Sequence, residues 1–332
     1  MKKILKYFKG GSLSKTYLVE DKDKVYVRKD VSLNINREYG FQRWYSQMKR
    51  LQRYSVHFPG LFPKLLNYGI HKDKAYFDIE YFPSSINAHD YLSACNSSNK
   101  VDLFFDALLD AMSVLHKSAI ISSEDAILLY IHEEVEQRLK DCYKNINFSN
   151  FIKHNYIIFN GKKIRSFVYC LDEYIEMCTD FYIKPTESFT HGNMTLENIL
   201  YIPDINKIVF IDPYEENIID SELAEFSQLL QSANSKYEFY NKLNPTINEN
   251  NINIEISTNF GVDYFNQKLC NYIKNKFNKN NYYIIRLLEV SQFIRMLPFK
   301  MEVDEKKMYF FYGLASVLFH NIKHELMINT SK

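Results

Sequence analysis

A chain of 332 residues, 46% of them apolar, with a formal net charge of +1, suits a folded globule of one large or two unequal domains. That balance of charge excludes the field needed to concentrate nucleic acid or an acidic membrane, and no run approaches the roughly 20 apolar residues that span a bilayer. The five cysteines (Cys95, Cys142, Cys170, Cys178, Cys270) form no CxxC pair, and the opening MKKILKYFKGGS holds no apolar stretch of signal-peptide length, so a reduced, cytoplasmic setting is expected.

The first ~85 residues read mainly as strands. Thr16 to Val19 and Val25 to Arg28 are β-rich runs around the charged turn Asp21-Lys22-Asp23-Lys24. Lys64 to Tyr68 and Ala75 to Glu80 repeat the pattern around His71-Lys72-Asp73-Lys74. Between them, Phe41, Trp44, Tyr45, Met48 and Leu51 recur at helical spacing, predicting a helix over Asn36 to Tyr54. The order is strand, strand, helix, strand, strand. After Pro83 the texture turns to amphipathic helices, over Val101 to Lys117 and Ile127 to Lys140. A short β pair is expected at Ile199 to Tyr201 and Ile208 to Ile211, with mostly helix after about residue 220 and an exposed Asn-rich loop from Asn244 to Asn253. The fold class is therefore α+β, with an antiparallel N-terminal sheet carrying one helix (1–82) and a larger helical region (83–332).

The chemistry concentrates in His191-Gly192-Asn193-Met194-Thr195-Leu196-Glu197-Asn198-Ile199-Leu200, followed by Val209-Phe210-Ile211-Asp212-Pro213. A loop with an amide at its third position and Asn at its eighth runs into a β pair that ends by presenting a carboxylate. Phosphoryl transfer needs such parts: one side chain to orient the nucleophile, and an amide oxygen with a carboxylate to hold Mg²⁺ on the phosphates.

These motifs resemble the aminoglycoside phosphotransferase and choline kinase-like family, distant relatives of protein kinases, whose loop reads H-G-D-x-x-x-x-N-I-L and whose metal motif reads I-D-P or I-D-W. The resemblance covers about residues 5 to 232. It implies a bilobal protein-kinase-like fold, ATP or GTP as cofactor, Asn198 and Asp212 as magnesium ligands, and His191 as a brace for the loop. It further implies that Gly11, Ser12 and Ser14 lie in a turn whose N–H groups meet phosphate. Arg28 would grip the α/β-phosphates, with Glu38 as its ion-pair partner and Glu80 and Phe82 bounding the adenine hinge. Lys29 stands beside Arg28, so a slip of one residue exchanges the two. Downstream, Asp220 to Ser232 resembles the D-x-A-K-L-L-Q-S helix of phosphotransferases from bacterial surface-polysaccharide clusters, with Asp220 as a structural acid.

One position departs from the pattern. Asn193 occupies the place of the proton-accepting aspartate, and an amide cannot take a proton from a hydroxyl near neutral pH. Three explanations stand: an engineered Asp→Asn change that slows turnover, a natural pseudokinase that binds nucleotide as a regulator or scaffold, or an enzyme whose Asn orients the hydroxyl while another group or solvent takes the proton. The expected activity is transfer of a nucleotide's γ-phosphate to a small-molecule hydroxyl, with a sugar or related metabolite favoured as acceptor. Glu133, Glu134, Glu136, Glu215 and Glu216 make no clear acidic cluster for a cationic acceptor, and Arg286, Arg295 and Lys300 near Pro298 are the basic residues available to an anionic one. His320 and His324 share a helical face without an evident third metal ligand.

Overall fold

The computed structural model describes residues 2–8, 14–22, 24–33, 37–117, 120–121, 126–183, 186–214, 217–255 and 258–330, with the side chains of 37–39, 120–121, 186 and 330 left out. It is α+β, with an antiparallel sheet in the N-terminal region and a helical C-terminal region. The chain divides into two compact units: Met1–Ala94 with Asn99–Lys117 and His191–Asn217, and Cys95–Ser98 with Ser118–Thr190 and Ile218–Lys332. This division differs from the 1–82 and 83–332 lobes expected from the sequence, because the first unit also takes in residues 83–94, 99–117 and 191–217, the last of which carries the site motifs.

In the first unit, β1 (Lys3–Phe8), β2 (Ser14–Asp21), β3 (Lys24–Ser32), β4 (Leu65–His71) and β5 (Lys74–Glu80) form an antiparallel sheet in the order β1-β2-β3-β5-β4. The tight turns lie where the charged tetrapeptides predict them, with Lys22 and Lys72 in the left-handed region at φ 56° and 57°. β1 is an addition to the expected elements; its Ile4, Leu5 and Tyr7 are exposed, so it carries no burial pattern to mark it. Helix α1 (Arg37–His57) packs on β3, β4 and β5. It buries Trp44, Met48 and Leu51, and the sheet buries Val31, Ala75, Phe77 and Ile79. Each large apolar side chain so covered contributes about 1.5–3 kcal/mol. The helix outruns its predicted end by three residues and stops ahead of Pro59, whose ring disfavours a helical residue before it.

A two-residue strand, β6 (Ile86–Asn87), leads into α2 (Ala88–Ala94) and α3 (Ser98–Leu115). β6 pairs with Ile199–Ile202, which pairs in turn with Lys207–Phe210. Tyr201 anchors this hairpin, its ring edge-on to Phe104 and Tyr91 at centroid distances of 5.3 and 4.7 Å.

The second unit is mainly helical: Leu171–Phe181, Glu222–Ala233, Phe260–Lys276, Lys279–Arg295 and Glu305–Thr330. Asn259 and Asn278 cap two of these helices, accepting from the N–H groups of Val262 and Asn281 at 3.0 and 2.9 Å. The Asn-rich stretch is not a plain loop. Thr246–Asn248 and Asn251–Asn253 form a hairpin that joins Tyr156–Phe159 and Lys162–Arg165 in a four-stranded sheet, because Ile252 is fully buried there. The Tyr156–Arg165 hairpin turns on Asn160-Gly161, both at positive φ, a dipeptide that favours such turns. Desolvation pushes the thiols of Cys142 and Cys178 up to about 12, so both stay protonated. No helix among the described residues is long and apolar enough to cross a membrane.

Candidate active site

The antiparallel register that pairs Ile199 with Phe210 sets Asn198 opposite Ile211, and the Ile211 N–H donates to the Asn198 carbonyl at 2.9 Å. The hairpin thereby brings Asn198 and Asp212 to the same open end. The Asn198 Nδ2 donates to the Asn193 carbonyl at 2.8 Å, which also accepts from the Thr195 N–H at 2.8 Å. This bond fixes the amide with its oxygen pointing away from the loop, and no hydrogen bond ends on that oxygen among the described residues. Asn193 itself is exposed.

His191 braces the loop from behind. It is fully buried, its Nδ1 accepts from the Asn193 N–H at 3.2 Å, and its Nε2 lies 2.7 Å from the Ile211 carbonyl. A ring that accepts at Nδ1 must donate at Nε2, so the bonds select one neutral tautomer. Its carbonyl accepts from the Tyr214 N–H at 2.8 Å. Phe62 stacks on the ring with centroids 6.2 Å apart, and Tyr54 of α1 meets Phe62 at 5.0 Å. Gly192 holds φ +82°, and a methyl group there would collide with the Tyr214 carbonyl and the Asn217 amide. Only glycine lets the loop close so tightly.

Asp212 also sits in the left-handed region, at φ 56°, where aspartate is tolerated better than most side chains. Its carboxylate, 37% exposed, meets the Lys29 ammonium at 2.8 Å. Burial raises the Asp212 pKa, but Lys29, with Arg43 adding to it, outweighs that effect and holds the carboxyl below the ordinary aspartate range. Lys29 also donates to the Gln47 Oε1 at 3.1 Å, and both residues are buried.

Arg28 lies elsewhere. Successive strand residues point to opposite faces, so Lys29 faces α1 and Asp212 while Arg28 faces away. The Arg28 guanidinium closes a two-pronged pair with Asp78, directly across on β5, at 2.6 and 2.7 Å, and stacks over Tyr76 at 4.3 Å. The structure therefore brings Lys29, not Arg28, to Asp212. The side chain of Glu38 and the residues Gly11 and Ser12 lie outside the described residues; Ser14 opens β2 opposite Val31. At residues 80–82, where the resemblance implies a hinge, the Glu80 N–H donates to the Lys64 carbonyl at 3.0 Å, and Ser85 takes the Phe82 carbonyl with its N–H and hydroxyl at 3.2 and 2.8 Å. The N–H groups of Tyr81 and Phe82 meet no partner among the described residues.

Sequence reading missed what α1 contributes. Arg43, Gln47, Arg50 and Tyr54 recur at helical spacing on one face, and each acts on the loop or the cation pair: Arg43 on Asp212, Gln47 on Lys29, Arg50 beside Gly192, and Tyr54 through Phe62 on His191. The spacing was visible, but the apolar residues of the same helix dominate its period.

In the second unit, Asp220 accepts from the hydroxyl of Thr190, the residue before the loop. Glu134 is compensated by Arg295 at 3.2 Å and Arg138 at 3.4 Å, while Glu133 and Glu136 flank His132. Glu215 and Glu216 lie outside the described residues. Arg286 pairs with Glu289 at 3.0 Å, and Lys300 donates to Asn241 at 2.7 Å among the rings of Tyr237, Phe299 and Phe311. The basic residues considered for an anionic acceptor are thus engaged internally. Among the described residues, no group of three or more His, Cys, Asp or Glu side chains is placed to hold a metal ion. One carboxylate and one amide oxygen fall outside such a group, and as a hard-oxygen pair they would suit Mg²⁺.

No protein-family model matches the chain, and no curated protein matches its sequence. Solved structures do. A candidate fructosamine-3-kinase from Haemophilus somnus is similar over 96% of this chain and 91% of its own, at 12% identity and a TM-score of 0.56. The GDP complex of a point mutant of an aminoglycoside 2′-phosphotransferase is similar over 95% of this chain and 91% of its own, at 12% identity and a TM-score of 0.51. At such identity the likeness shows the fold: this chain shares the kinase-like fold of those structures.

Proposed function

We propose that this chain is a nucleotide-dependent phosphotransferase that moves the γ-phosphate of ATP or GTP to a hydroxyl of a small molecule. The observation that carries the reading is the convergence of Lys29, Asp212 and Asn198 on one end of the 199–210 hairpin, with Lys29 and Asp212 at 2.8 Å. An ammonium, a carboxylate and an outward amide oxygen are the groups that a triphosphate with its cation requires. Asn198 and Asp212 would hold Mg²⁺, which would neutralise charge on the phosphate oxygens. Lys29 donates to the phosphates, and the open N–H groups at Tyr81 and Phe82 are suited to an adenine or guanine edge. Gly11, Ser12 and Ser14 would cover the phosphates from the turn before β2.

Asn193 is exposed, and its amide oxygen would accept from an acceptor hydroxyl and orient it. It cannot keep the proton, so water takes it. Phosphoryl transfer depends mainly on positioning and charge, which leaves slow turnover rather than none. The proposed acceptor is a sugar or related hydroxylated metabolite. Fructosamine and aminoglycoside, in the names of the two similar structures, are sugar-derived, and Glu134, already neutralised, does not favour a strongly cationic acceptor.

The test is a label-transfer screen with ATP and GTP over sugars, amino alcohols and generic proteins, run on the chain and on Asn193→Asp. Restoring a base is expected to raise turnover by about 10²-fold or more. A chain that binds nucleotide with Mg²⁺ but shows no transfer in either form is instead a nucleotide-binding regulator or scaffold. Calorimetry showing no nucleotide binding with Mg²⁺ present removes the kinase reading.

A further inference from the structure

Lys29 is a nearly buried ammonium, 11% exposed in its side chain, whose partners are the Asp212 carboxylate at 2.8 Å and the Gln47 amide oxygen at 3.1 Å. Gln47 is itself buried and neutral. An amide can aim an ammonium but cannot balance its charge. Lys29 therefore has one counter-charge among the described residues, and that counter-charge is Asp212.

Resting on the phosphotransferase reading, we propose that Gln47 is a positioning residue that makes Lys29 the resident counter-ion of Asp212, so that a divalent cation and a phosphate anion enter this site only together. A cation arriving alone at Asp212 must displace Lys29, leaving a buried ammonium with only an amide for company, a costly arrangement. It must also stand beside that ammonium, like charge against like. A triphosphate removes both obstacles, because its oxygens take over the ammonium as the carboxylate turns to the cation. Each ligand then raises the affinity for the other by the same factor, as linkage requires. A carboxylate at position 47 would break the coupling, since Lys29 would keep a counter-charge whichever way Asp212 turned.

The experiment measures Mn²⁺ binding to the full chain by the electron paramagnetic resonance of the free ion, with and without ADP, correcting for Mn²⁺–ADP association in solution. The wild type is expected to bind Mn²⁺ alone weakly and to retain it at least about tenfold more tightly with ADP, within the usual range of coupling between sites. Gln47→Glu, nearly isosteric, is expected to strengthen binding of Mn²⁺ alone about tenfold and to shrink the ADP effect. Lys29→Met should likewise strengthen binding of Mn²⁺ alone while weakening ADP binding, so the proposal stays testable if either variant fails to fold. If wild type and both folded variants bind Mn²⁺ alone within twofold of one another, the coupling is overturned while the phosphotransferase reading stands. If the wild type binds no nucleotide at all, both fall.

Discussion

Lys29 in the first unit and Lys307 in the second are both buried, and they are buried in opposite ways. Lys29 meets a carboxylate and an amide that face the hairpin end, partners a ligand can replace. Lys307, on the helix Glu305–Thr330, donates to the carbonyls of Tyr240, Asn241 and Leu243, the first two at 3.0 and 2.7 Å. Those carbonyls close the short helix Tyr237–Tyr240 and the turn that follows it. Lysine–carbonyl capping holds a turn in place; lysine–carboxylate pairing at an open hairpin end holds a charge in readiness. Burial alone does not separate a structural cation from a functional one. The identity of its partners does.

That contrast can be broken or sharpened by substitution. Lys29→Met has the largest expected effect: transfer activity falls by about 10²–10³-fold, the loss seen when one preorganised donor is removed from developing charge. Its thermal unfolding should move little, since Asp212 is partly exposed and can be hydrated; a large drop in Tm with intact nucleotide affinity would make Lys29 merely structural. Arg28→Met comes next. It strips the buried Asp78 of its two-pronged partner and should cost about 3 kcal/mol in denaturant unfolding, while nucleotide affinity stays within about threefold. A large loss of affinity in a folded Arg28→Met would return the phosphate grip to Arg28. Lys307→Met should cost about 1–3 kcal/mol by removing the ammonium that the carbonyls of Tyr240, Asn241 and Leu243 share, with transfer kinetics unchanged. A kinetic effect as large as that of Lys29→Met would erase the distinction between the two lysines.

How far the sequence could carry this reading shows at the same residues. The loop His191 to Leu200 and the Asp212 that follows it were legible because their chemistry is written in contiguous spacing: Gly192 where no side chain fits, Asn198 one residue before a strand, Asp212 just after its partner strand. The choice between Arg28 and Lys29 was not legible. Both are cations at the end of one β-rich run, and a strand's two-residue period sends neighbours to opposite faces without saying which face α1 covers. Gln47 was hidden for a related reason, as a polar residue inside a helix whose apolar stripe dominates the pattern. The Asn160-Gly161 hairpin was not read from the sequence, and the strand pair it joins, Thr246 to Asn253, lies some ninety residues on and looks like an exposed loop until Ile252 is seen to be buried.

By itself the sequence determined the strands from Ser14 to Glu80, the helix between them and the order of the site motifs, because turn chemistry, helical period and short-range spacing are properties of neighbouring residues. Tertiary structure alone decided which cation faces Asp212, that α1 supplies the Gln47 amide to hold it, and that Asn198 turns its oxygen outward. Those outcomes depend on which faces pack together, and packing is fixed by contacts between residues far apart in the chain.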